Sequence, residues 1–167
     1  MIQQRPGDVL EVFYEDNWYY LVVITKIFMF GGNIVYAFHG DGKKIDDFVP
    51  STEKSGFNIC TDFLLPKKEG IVKRIGKVED PAKYLVINLI KGCHEHRKGM
   101  KAKEWWLYTV DPPRKHVARV SRLTKRESLA MDSGMFAFDL TAKKIHENYT
   151  PDQNPFIERG VFRGLFS

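Results

Sequence analysis

The chain has 167 residues, 43% of them apolar and 13% aromatic, with 26 Lys and Arg against 21 Asp and Glu, a net charge of +5 and a pI near 9.1. Apolar content of this size builds a core and excludes a wholly disordered chain, and no apolar run approaches the roughly 18 to 20 residues of a membrane helix. The length implies a single domain over 1–167.

Val9–Tyr14 is rich in β-branched and aromatic residues and reads as a first strand. A polar break, Glu15-Asp16-Asn17, leads into Trp18–Phe28, almost wholly apolar, with Val22, Val23 and Ile24 in succession. Gly31-Gly32-Asn33 reads as a turn, because glycine accepts the positive φ that hairpins need. Ile34–His39 follows as a third strand, ended by Gly40-Asp41-Gly42. Two successive hairpins predict an antiparallel meander, and the second strand is too apolar for one wet face, so cover on both sides is expected.

Residues 43–70 are punctuated by Pro50, Gly56 and Pro66, with Phe57–Leu65 read as a strand or short helical turn at the sheet edge. Further strands are expected at Ile71–Val78, Tyr84–Ile90, Trp105–Val110 and Val117–Leu123. The fold class is therefore mainly β (α+β), a strongly bent antiparallel sheet or SH3-like barrel with short C-terminal helices. Thr124-Lys125-Arg126-Glu127 has capping-box spacing and starts a helix reaching about Met131. Asp139 is expected to cap a second helix, Leu140–Asn148, with Leu140, Ala142, Ile145 and Tyr149 as its apolar stripe. Beyond Pro151 and Pro155, residues 150–167 read as an extended tail carrying Phe156, Phe162 and Phe166.

Catalytic and metal chemistry find little support. Cys93-His94-Glu95-His96 contains metal-ligating types, yet no second ligand pair completes a four-ligand site. Ser133 lies in Asp-Ser-Gly-Met rather than a nucleophile elbow, and a cysteine or serine somewhere near His94 or His146 is close to chance. The pairs Asp46-Asp47 and Glu79-Asp80 read as solvated turns. Gly7, Gly31-Gly32 and Gly40-x-Gly42 do not make a phosphate loop. Neither a catalytic residue, a metal nor a cofactor is expected. Two cysteines, Cys60 and Cys93, are too few for a disulfide scaffold. With no apolar export segment in the opening residues, a cytoplasmic location is expected.

Charge is more informative. Residues 91–126 hold eleven Lys or Arg against three acids, a balance of +8, and the remainder holds 15 bases against 18 acids, or −3. Aromatic residues interleave with these bases, and Lys101, Lys103, Trp105, Trp106, Arg114 and Lys115 are the candidate partner-binding residues. Phosphate pairing with stacking would suit single-stranded nucleic acid, and Trp, Tyr and Arg equally dominate protein hot spots. The plain alternative is that one of the adjacent tryptophans, which face opposite ways on a strand, is core and the lysines merely solvate the surface.

Arg5-Pro6-Gly7-Asp8-Val9-Leu10-Glu11-Val12 followed by Trp18-Tyr19-Tyr20-Leu21-Val22-Val23-Ile24 is similar to the start of the immunity protein 26 family of bacterial polymorphic-toxin and contact-dependent inhibition systems. The Trp106-Leu107-Tyr108 strand and the helical C-terminal region sit at relative positions compatible with that resemblance. The resemblance implies a mainly β protein without catalytic residues that binds a cognate toxin in the cytoplasm and occludes its active site or substrate access. The alternative is a nucleic-acid-binding β-barrel module using the segment 91–126.

Overall fold

In a computed structural model, the described residues are 4–27, 32–94, 99–111 and 113–158. The fold is mainly β, with two sheets, neither closed into a barrel. The chain divides into two compact units: unit 1 comprises residues 1–85 and 134–149, and unit 2 residues 86–133 and 150–167.

Unit 1 is built on the expected meander. Strands β1 (Asp8–Tyr14), β2 (Asn17–Ile27) and β3 (Gly32–Phe38) pair antiparallel in sequence, with β4 (Gly56–Thr61) beside β3 and β5 (Ile71–Lys77) beside β1. Tyr14 pairs with Asn17, leaving Glu15 and Asp16 as the two-residue turn, both at positive φ (48° and 60°). That is the backbone pattern of a type I′ hairpin, whose twist matches the strands it joins. At the second hairpin Ile27 pairs with Gly32 and Lys26 with Asn33, so two residues of the predicted Gly31-Gly32-Asn33 turn belong to β3 instead, and Gly31 lies outside the described residues.

Gly7 and Asp8 fix the entry to β1. The Gly7 N–H donates to Val23 O and its carbonyl accepts from Val78 N, each at 2.8 Å. Gly7 has a φ of +88°, and a Cβ there would sit 2.6 Å from Val78 O, so only glycine fits between the two neighbouring strands. The buried Asp8 carboxylate accepts from Arg5 N at 2.8 Å.

Both faces of β2 are covered, as its composition requires: Tyr19 through Ile24 are all buried. On one face Leu10, Val12, Tyr19, Leu21 and Val23 pack against Phe63 and against Phe138, Ala142 and Ile145 of α3 (Phe138–His146). On the other, Tyr20 stacks on Phe48 at 4.2 Å, and Tyr36 and Phe38 meet Tyr84. Phe57–Leu65 divides into strand β4 and the start of α1 (Leu64–Glu69). The α3 helix begins earlier than expected: its cap is Ala137, Phe138 fills the core, and Leu140 is exposed. Burying the Phe138 ring sets the helix phase, and Asp139 lies in the first turn, where its charge suits the helix dipole.

Unit 2 holds the second sheet, in the order β8 (His116–Val120), β7 (Trp105–Thr109), β6 (Leu89–Gly92), β9 (Met131–Asp132). The strand expected over Tyr84–Ile90 starts five residues later. Pro81–Tyr84 is a 3-10 turn, since Pro81 fits a helical first position and Tyr84 is drawn into the unit 1 core. Helix α2 (Lys125–Ser128) carries the predicted capping box: Thr124 Oγ accepts from Glu127 N at 3.0 Å, and Glu127 Oε2 from Thr124 N at 2.7 Å. The helix stops at Ser128, short of Met131, which joins β9. In the predicted tail, Pro151–Gln153 forms a 3-10 turn, Phe156 and Ile157 pack on Trp105, Leu107 and Leu123, and residues 159–167, Phe162 and Phe166 included, lie outside the described residues. Among the described residues no helix is long and apolar enough to cross a membrane.

Candidate interaction surface

Strand β7 sorts its side chains by alternation. Trp105 (3% exposed) and Leu107 point into the unit 2 core, and Trp106 and Tyr108 point out, half-buried. The two tryptophans thus face opposite ways, and Trp105 is a packing residue without a ring face to offer. Cross-strand pairing places Arg119 opposite Trp106 and His116 opposite Tyr108. His94 meets the Trp106 ring edge-on, with centroids 3.8 Å apart, and the Tyr108 and His116 rings lie 5.4 Å apart. Arg119 Nε is 2.6 Å from Glu104 Oε1. The guanidinium holds the Glu104 carboxyl below the usual carboxylate range, helped by a hydrogen bond from the Trp106 side chain. The indole is therefore oriented by an aromatic neighbour and an acid, a pre-ordered ring that loses little rotamer freedom on binding.

The four predicted cations separate into two groups. Lys101 and Lys103 precede β7, and Arg114 and Lys115 lie in the β7–β8 turn, where Lys115 N donates to Thr109 Oγ at 3.0 Å. Five residues of strand, about 17 Å, lie between the groups. Antiparallel pairing brings Arg122, which follows β8, to the Lys101 and Lys103 end, an addition to the predicted set. All five side chains are exposed, and none makes an ion pair among the described residues.

Lys91, the first base of the segment, is not on this surface: it is 1% exposed, and its ammonium is enclosed by backbone carbonyls and Asp132. Of the metal-type run, Cys93 is half-buried, His94 sits against Trp106, and Glu95 and His96 lie outside the described residues. Among the described residues no three His, Cys, Asp or Glu side chains gather as a metal site.

Two histidine contacts in unit 1 escaped the sequence reading. His39 Nδ1 is 2.7 Å from Ser55 Oγ, and its Nε2 is 2.8 Å from Tyr149 O. The carbonyl accepts only, which puts the ring proton on Nε2 and makes Nδ1 the acceptor of the Ser55 hydroxyl. With the His39 N–H donating to Ser55 O at 3.0 Å, the ring ties the chain beyond β3 to the residue before β4 and to the end of α3. His146 Nε2 meets Tyr19 Oη at 2.9 Å. No local pattern marks either pair, because the partners are separated by up to 127 residues.

Burial, and secondarily Glu15, pushes the Tyr19 hydroxyl up to about 12. A raised acid pKa means the neutral phenol is favoured by folding. That contribution is complete below the ordinary tyrosine value of about 10 and is lost as the pH rises towards 12. An ultraviolet titration of tyrosinate is expected to show a component near pH 12 that Tyr19→Phe removes. Loss of a component near pH 10 instead would place the Tyr19 hydroxyl in water.

Set beside family models, curated proteins and solved structures, the chain matches none of them.

Proposed function

We propose that this chain is an immunity-type binding protein that neutralises a bacterial toxin domain by covering its active site or the path of its substrate. The observation that carries the proposal is the outward face of β7 and β8. Trp106 and Tyr108 are held half-exposed there beside Arg119, His94 and His116, and Trp, Tyr and Arg are the residue types in which interface energy concentrates. The likeness of the opening segment, Arg5–Val12 and Trp18–Ile24, to immunity protein 26 supports the choice of partner class. Occlusion needs shape and a few anchors rather than converging acid–base groups, and steering by the exposed cations would raise the encounter rate with an acidic partner surface.

The test looks beside this gene for an encoded toxin domain and co-expresses the two. The chain restores growth, and Trp106→Ala weakens the complex by at least about 2 kcal/mol, about thirtyfold. Reversing Lys101, Lys103, Arg114 and Lys115 to glutamate lowers toxin affinity further, mainly through slower association. No protection by the wild-type chain, or unchanged affinity in both variants, contradicts the proposal.

One observation favours a second reading, a nucleic-acid-binding module: five exposed cations without ion-pair partners among the described residues. In that case generic RNA binds at submicromolar concentration and the affinity falls steeply with salt.

A further inference from the structure

Unit 2 also carries a recess, distinct from the Trp106 face, of about 610 Å³. The exposed Lys101, Lys103, Arg122 and Glu158 line it together with the buried apolar Leu123 and Ile157. Topology brings these together: Trp105 pairs with Val120, so the residues entering β7 and leaving β8 lie at the same end of the sheet. Lys101 is oriented, its Nζ donating to Pro155 O at 2.8 Å. Lys103 and Arg122 are exposed and make no ion pair among the described residues, so the lining carries three cations against one acid.

We propose that this cleft is the docking site for an acidic stretch of the partner polypeptide. A carboxylate pairs with the Arg122 fork and the Lys103 ammonium, and the adjoining aliphatic side chain rests on Leu123 and Ile157. The proposal rests on the immunity reading and specifies the chemistry its partner presents. Polypeptide fits better than nucleic acid for two reasons. Base stacking needs an open ring face, and the ring in this cleft, Trp105, is 3% exposed. Glu158 among the lining residues opposes a continuous phosphate backbone more than it does a single carboxylate paired with Arg122 and Lys103.

The test uses the full chain and three labelled probes read by fluorescence anisotropy: an alternating Asp-Leu peptide, its Lys-Leu counterpart and a single-stranded oligothymidylate. The Asp-Leu peptide binds saturably and the Lys-Leu peptide does not. The pair Lys103→Glu/Arg122→Glu weakens Asp-Leu binding at least about tenfold. An equal charge change on unit 1, Lys68→Glu/Lys77→Glu, leaves it within about twofold. Absent Asp-Leu binding, equal weakening by both pairs, or tighter binding of the oligothymidylate each overturns the proposal. The two readings fail separately. If the Lys103→Glu/Arg122→Glu chain still protects cells from toxin with unchanged affinity, the cleft assignment falls and the immunity reading stands. If the wild-type chain gives no protection, the immunity reading falls whatever the peptide does.

Discussion

Replacing Lys91 with methionine is expected to destabilise the protein by about 3–5 kcal/mol, the cost of removing one partner from a buried ionic cluster. Lys91 lies on β6 opposite Leu107, on the apolar side of the second sheet, and is 1% exposed. Its ammonium reaches Ser128 O at 2.9 Å, Ala130 O at 2.6 Å and Pro151 O at 2.8 Å, with Asp132 Oδ1 at 3.0 Å. Those acceptors come from the end of α2, the residue before β9, β9 itself and the 3-10 turn at Pro151–Gln153. One side chain thereby ties four segments of unit 2 to its central strands. Burial pushes the Lys91 pKa down, and Asp132 opposes that shift. Methionine fills much of the same volume but leaves three buried carbonyls without the ammonium, while Asp132 keeps the Asn154 side-chain amide at 2.8 Å. Each orphaned acceptor carries its own desolvation cost. Urea unfolding checks this through a lower midpoint. A loss under about 1 kcal/mol would mean that water replaces the ammonium and that the cage is not structural.

The second large effect belongs to unit 1. Phe138→Ala is expected to cost about 3–5 kcal/mol, the range for a fully buried aromatic side chain. Phe138 has no exposed surface, and its ring meets Tyr14, Tyr19 and Phe63 with centroids 5.8, 5.6 and 5.7 Å apart. It is the first residue of α3, whose Ala137 cap makes no side-chain hydrogen bond, so the start of this helix is held by packing rather than by a cap. Truncation opens a cavity and frees that end. Leu140→Ala, an exposed position two residues on, is the internal control and stays within about 0.5 kcal/mol. Comparable losses in the two variants, followed by thermal or urea unfolding, would show that α3 is not seated by Phe138.

How far the sequence reveals the molecule depends on the range of the forces involved. The β1–β2–β3 meander is legible because its signals are local: β-branched runs, and a polar turn that closes as type I′. The Thr124 capping box and the opposed tryptophans on β7 are legible for the same reason. Lys91 is not, because lysine is ordinarily a surface residue and its acceptors lie 37 to 60 residues away. The sequence signal at Asp139 starts α3 two residues late, because burial of Phe138 outweighs a local cap. The start of β6 moved because Tyr84 is claimed by another core. For the candidate interface, sequence finds the basic and aromatic residue types but not their grouping. Lys101 and Lys103 join Arg122, while Arg114 and Lys115 stand at the far end of β7, an arrangement set by antiparallel pairing alone.

As an immunity-type protein of the kind we propose, the chain acts by occupying a partner's surface and makes or breaks no covalent bond itself. Titrating the purified chain into a fixed amount of active toxin domain tests this most directly. Occlusion predicts that inhibition grows linearly, is complete at one equivalent, and reverses when the complex is separated in denaturant and the toxin refolded. Complete and irreversible inactivation by a small fraction of an equivalent would show turnover and contradict the account.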